Sequence, residues 1–244
     1  MIGWQITLLI ATSLMAGVGG LFLQGRLTGN VKVLLAFSGA YLFALAVLHL
    51  LPEIYIHLGY EGGVFILIGF LVQMVMDYSS RGIEHGHVHH KISLKNTFPL
   101  SIYISLFIHS VIEGLPLGGG FEHSHGGHAL EVESLLIGIV IHKIPEAIAL
   151  TALLYHHYSN KRQVLVAMLP YAMATPLGLF IAKFFLAQIP TGRYEGIYAT
   201  ILAITVGIFI HVSTTIIFEA DEEHRLSWSK SAAILAGLLL VWLI

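Results

Sequence analysis

Cysteine is absent from the 244 residues, which excludes a disulfide framework and any thiolate metal site. Charge is scarce too. Asp, Glu, Lys and Arg make up 11% of the chain, against about 25% in a soluble domain. With 12 Lys and Arg set against 14 Asp and Glu, no basic run is dense enough for nucleic acid, and none is expected as a partner. What is plentiful is apolar: 56% of residues, a mean hydropathy of +0.82, and an excess that recurs along the whole chain. Such a composition predicts an all-α integral membrane protein with the lipid bilayer as its solvent. The odd excess is histidine, whose 15 copies outnumber every individual charged residue type.

A bilayer core needs about 20 apolar residues per helix. By that ruler eight spans are expected, at 3–24, 31–53, 62–79, 98–119, 132–155, 163–188, 195–218 and 229–244. The first lacks a basic start and a small-residue cleavage pattern, so it reads as a membrane helix and not a signal peptide. Two connections are long, 80–97 and 120–131, and both are rich in histidine. Arg26, Lys32, Arg81, Lys91, Lys95, Lys161, Arg162, Arg225 and Lys230 all fall in odd-numbered loops; only Lys183 and Arg193 flank an even-numbered one. Cations collect on the cytoplasmic side, so both termini are expected outside. Trp4, Tyr60, Tyr171, Tyr194 and Trp228 lie near span ends and fit interfacial anchors.

Ionisable groups at mid-bilayer cost roughly 2.5–3.5 kcal/mol each and read as functional by default. The fourth span contains FIHSVIEGLPLG and the fifth IVIHKIPEAIAL, so each carries His-x-x-x-Glu: His109 with Glu113, and His142 with Glu146. A spacing of four puts both side chains on one helix face. Because the two spans run in opposite directions, Glu113 falls level with His142 and His109 with Glu146. Two imidazoles and two carboxylates can then converge near the middle of the membrane. That donor set suits zinc, iron(II) or manganese(II); an all-oxygen magnesium or calcium site would not use two histidines. Pro116 and Pro145 each remove an intrahelical hydrogen bond beside these groups, and such breaks are tolerated only inside protein or beside a water-filled path. The competing interpretation, polar pairs that merely join helices, accounts poorly for two matched pairs at one depth.

HSVIEG and HKIPEA resemble the paired signature of the ZIP (Zrt/Irt-like) family of divalent metal transporters in its prokaryotic form, and HLLPE at 49–53 resembles the end of that family's second span. The resemblance covers essentially the whole chain. It implies one transmembrane domain, residues 1–244, in a 3+2+3 arrangement, with spans 1–3 and 6–8 as inverted repeats around spans 4 and 5. It also implies a plasma membrane location, the inner membrane of a bacterium, and leaves a homodimer open. Some members hold two metals, using Asn after the first His and Asp after the second; here Ser110 and Lys143 stand there, and Thr175 stands in place of a further carboxylate. The departure implies one metal, with the Lys143 ammonium beside Glu146 or Glu113 as remnant of the second site.

Further polar residues fall along a route across the bilayer. His49 and Glu53 are spaced by four at the outer end of span 2 and could line an entrance; His211 and Glu219 lie toward the cytoplasmic end of span 7 and could line an exit. His85, His87, His89 and His90 could buffer arriving metal on the cytoplasmic side, and His123, His125 and His128 could collect it outside, although solvated spacer loops would look the same. Together these residues predict a carrier, not an enzyme, that moves a divalent transition metal, zinc foremost and iron, manganese or cadmium besides, into the cytoplasm. Two alternatives use the same ligands: an intramembrane zinc-dependent hydrolase, which needs an open position for water that four converging ligands leave little room for, and a metal-gated channel or sensor. Deprotonated ligands bind metal, so uptake is expected to fall in acid.

Overall fold

The computed structural model describes residues 3–22, 28–80, 99–120, 128–219 and 227–243, and among these all regular structure is helical. The helices are α1 (Gly3–Phe22), α2 (Thr28–Leu45), α3 (Leu51–Leu58), α4 (Tyr60–Ser80), α5 (Leu100–Gly120), α6 (His128–Tyr158), α7 (Lys161–Leu186), α8 (Thr191–Glu219) and α9 (Trp228–Trp242). Seven spans are long and apolar enough to cross a membrane, with α2 and α3 counting as one continuous span. The eighth expected span, α9, is a shorter apolar helix of 15 residues, about 22 Å at 1.5 Å per residue. The chain is an integral membrane protein.

The second span differs from its expected form in two ways. It runs on to Leu58, and it is interrupted by a π-helical turn, Ala46–Leu50, where the Leu51 N–H bonds the Ala46 carbonyl. Pro52 follows at once and has no N–H to continue the regular ladder, which gives the local cause of the irregularity. At the other end, α3 turns directly into α4 through Gly59, whose φ of 53° is a left-handed conformation that a side chain would oppose.

The helices pack in four main pairs: α5 along α7, α4 along α8, α2 along α9, and α1 along α6. Secondary contacts join α1 to α7 and α2 to both α8 and α6. Lipid offers no hydrophobic drive between helices, so close approach through small residues must supply it. At the α5/α7 crossing a methyl on Gly114 would overlap the Thr175 carbonyl, and one on Gly178 the Val111 carbonyl. Gly69 and Gly207 do the same for α4 and α8, against Ile204 and Ile66. Tyrosine hydroxyls add ties between helices, donating from Tyr41 to the Ser134 carbonyl at 3.0 Å, from Tyr103 to Ala167 at 2.6 Å and from Tyr194 to Gly119 at 2.9 Å.

Trp4, Tyr60 and Trp228 are exposed, as an interfacial anchor must be. Tyr171 and Tyr194 are not: both are buried between helices, correcting their assignment to the interface. Tyr194 lies near the start of α8 on a face that turns inward, whereas Tyr171 lies near the middle of α7 and not at its end.

Two apolar clusters divide the interior. One gathers Tyr41, Leu42, Leu117, Leu135, Ile139, Val206 and their neighbours; the other gathers Leu106, Ala147, Leu150, Met168 and Tyr171. Along α5 the second cluster takes the residues before His109 and the first takes Leu117; along α6 the order is reversed. The segments 109–113 and 142–146 therefore lie between the clusters, midway along their helices.

Candidate metal centre

Four side chains occupy that gap. His109, Glu113, His142 and Glu146 each offer a ligand atom, and these atoms all lie within 4.8 Å of one another. None of the four residues is more than 1% exposed. His109 Nε2 is 3.0 Å from Glu113 Oε1 on the next turn of α5, as the spacing of four dictates. His142 Nε2, from α6, stands 4.0 Å from the same oxygen. Both α5 and α6 run unbroken through Pro116 and Pro145.

Lys143 lies in the same group. Its Nζ is 2.7 Å from Glu113 Oε2 and 2.7 Å from Glu146 Oε2, and it donates to Ser110 Oγ at 2.6 Å. Two carboxylates and one ammonium leave the cluster one negative charge in excess when both imidazoles are neutral. Glu146 Oε1 and His142 Nδ1 have no hydrogen-bond partner among the described residues. A buried acceptor without a donor is costly, and a cation in this gap would offset that cost at Glu146 Oε1. Thr175 is buried on α7, with its carbonyl against Gly114.

Comparison with known proteins matches residues 78–244 to the family described as ZIP zinc transporter. That stretch covers more than half of the chain and includes both His/Glu pairs. The chain belongs to the ZIP zinc transporter family. This is a family of transporters and not of enzymes, which sets the hydrolase alternative aside. Among curated ZIP proteins, the chain is 23% identical over 154 residues to zinc transporter ZIP9 of Micropogonias undulatus, covering 62% of this chain and 49% of that one. It is also 23% identical to ZIP9-B of Xenopus laevis and 22% identical to ZIP9 of Xenopus tropicalis, each over 154 residues, 62% of this chain and 50% of theirs. The chain spans about half the length of the curated ZIP relatives it matches.

Two residues beside this candidate centre were not read as part of it in the sequence. Gln73, on α4, is wholly buried and its Oε1 is 3.0 Å from His109 Nδ1. Tyr171, on α7, sets its ring 5.2 Å from Lys143 Nζ, and its hydroxyl neighbours Glu146 and Ser110 without closing a hydrogen bond. A lone amide inside the apolar run GFLVQMVMDY carried the signal for Gln73; for Tyr171 the signal was depth, since it lies well inside the expected span 163–188.

The route residues fare differently. Glu53 pairs with His57, the next residue at a spacing of four, at 2.9 Å, and His49 sits in the π-helical turn. His211 is buried on α8, its ring edge-on to Phe70 of α4 with the ring centroids 4.8 Å apart. Glu219 closes α8 and His128 opens α6, with side chains outside the described set. His85, His87, His89, His90, His123 and His125 also lie outside the described residues.

Proposed function

We propose that the chain, as one transmembrane domain over residues 1–244, carries a single divalent transition-metal ion, zinc foremost, from outside into the cytoplasm. His109, Glu113, His142 and Glu146 are the proposed ligands. The observation that carries this reading is the convergence of four ligand atoms, from two helices, within 4.8 Å in a site closed to solvent. Imidazole and carboxylate together match zinc, iron(II) and manganese(II), and the zinc transporters among the relatives favour zinc. A count of one metal is supported by Lys143, whose ammonium sits against both carboxylates where a second cation would be repelled.

The proposed 3+2+3 arrangement draws support from the packing. Exchange α1 with α7, α2 with α8, α4 with α9 and α5 with α6. The α5/α7 pair then becomes α6/α1 and the α4/α8 pair becomes α9/α2, while α1/α7 and α2/α8 return to themselves. These are the principal contacts of the fold, and inverted repeats around a midplane site are a common transporter design. The distribution of Lys and Arg supports outside termini; the proposed location is a plasma membrane, the inner one in a bacterium.

Zinc uptake into proteoliposomes tests the reading. Glu113→Ala, Glu146→Ala and His109→Ala should each lower uptake by more than the roughly tenfold that loss of even an outer partner costs. Normal transport by His109→Ala and Glu146→Ala alike would remove the site assignment.

A further inference from the structure

We propose that Gln73 is a positioning residue that presets His109 as a metal ligand and leaves His142 as the adjustable one. This rests on the metal site proposed above. A histidine binds a cation through one ring nitrogen, and the other must then carry the proton and find an acceptor for it. His109 directs Nε2 toward the convergence point, 3.0 Å from Glu113 Oε1, and Nδ1 toward Gln73 Oε1, also at 3.0 Å. With Nδ1–H donating to the amide oxygen, the Nε2 lone pair is free for metal and the ring plane is held.

The opposite arrangement fails on chemistry. If the amide NH2 of Gln73 faced His109, Nδ1 would be the acceptor, the proton would sit on Nε2, and the nitrogen nearest the carboxylate could not coordinate. Gln73 is 0% exposed in the apolar interior of α4, an expensive place for an amide, and the bond to His109 offsets that cost. His142 has no such support. It is 1% exposed, its Nδ1 has no hydrogen-bond partner among the described residues, and its Nε2 is the more distant from Glu113 at 4.0 Å. Of two chemically identical ligands, one is oriented by an outer partner and the other has no hydrogen bond at its second ring nitrogen to hold it.

The experiment uses the full chain in lipid nanodiscs, with zinc binding measured by competition against a chelating dye and uptake measured in proteoliposomes. Gln73→Met keeps the volume and removes the acceptor; Gln73→Glu keeps an acceptor. Gln73→Met is expected to weaken zinc binding by roughly 10–100-fold and raise KM in step, while Gln73→Glu stays near wild type. In protein carrying 15N-histidine, the His109 signal, assigned through His109→Asn, should report a single Nδ1–H tautomer in wild type and Gln73→Glu, and a tautomer mixture in Gln73→Met. Wild-type affinity in Gln73→Met, with binding lost in Glu113→Ala, overturns the role of Gln73 and leaves the metal site standing. Equal losses in Gln73→Met and Gln73→Glu overturn it as well. Undiminished binding in Glu113→Ala instead overturns the site itself.

Discussion

Lys143 and Glu113 reach each other from neighbouring helices, Nζ to Oε2 at 2.7 Å, with both side chains sealed from solvent. The same ammonium also holds Glu146, so one cation that belongs to the chain offsets half the charge of the two carboxylates proposed to receive a cation that does not.

Removing that ammonium should make the fold depend on its cargo. Breaking a buried ion pair on one side costs about 3–5 kcal/mol, so Lys143→Met should unfold at markedly lower temperature than wild type in metal-free buffer. Zinc at about 100 times Kd returns about 2.7 kcal/mol by mass action. Thermal unfolding with and without zinc checks this; equal stability and equal zinc response in both proteins would remove the counter-cation role.

The same geometry sets the metal count. Native mass spectrometry should find one zinc at this centre in wild type, and two in the double variant Ser110→Asn/Lys143→Asp, which replaces a repelling charge with ligand oxygen. Two zinc ions in wild type would contradict the single-metal reading.

Tyr171 can be tested by separating its ring from its hydroxyl. Tyr171→Phe keeps the ring near Lys143, an interaction of about 0.5–2 kcal/mol, and its hydroxyl makes no hydrogen bond to lose. Uptake by this variant should stay within a factor of a few of wild type. Tyr171→Ala also opens a cavity beside α6 and should lose about 3–5 kcal/mol of stability. Melting curves and uptake rates for the two variants, compared side by side, decide it.

The α5/α7 crossing should tolerate no side chain. Gly178→Val drives carbon into the Val111 carbonyl and forces apart the helix that carries His109 and Glu113, at a cost of at least about 1–3 kcal/mol. Gly196→Ala, where nothing lies within 4 Å, should be neutral or stabilising by up to about 1 kcal/mol. Melting temperature reads both, and uptake should fall only in the first.

The legible part of this protein is the part governed by local geometry. Twenty-residue apolar runs read as spans because backbone polar groups in lipid must be satisfied within the helix, and the observed helices follow those runs, except that the second continues to Leu58 and the last is shorter than a full crossing. His109 and Glu113 share a face because four residues make about one turn, and so do His142 and Glu146. Even the neighbourhood of Lys143 was within reach, since it lies three residues before Glu146 on the same helix.

Relations between helices were beyond local rules. These spans are apolar nearly all round, so their sequences carry no strong stripe to say which side turns inward. Rotation and register are chosen instead by glycine contacts such as Gly114 with Thr175 and Gly69 with Ile204. That choice brought Gln73 to His109 and turned Tyr171 toward Lys143. Residue type and spacing along the chain determined that two ligand pairs exist at mid-membrane. Only the packing of α4 and α7 against α5 and α6 decided which side chains surround them, because close contact between backbones depends on the whole bundle and not on any one segment.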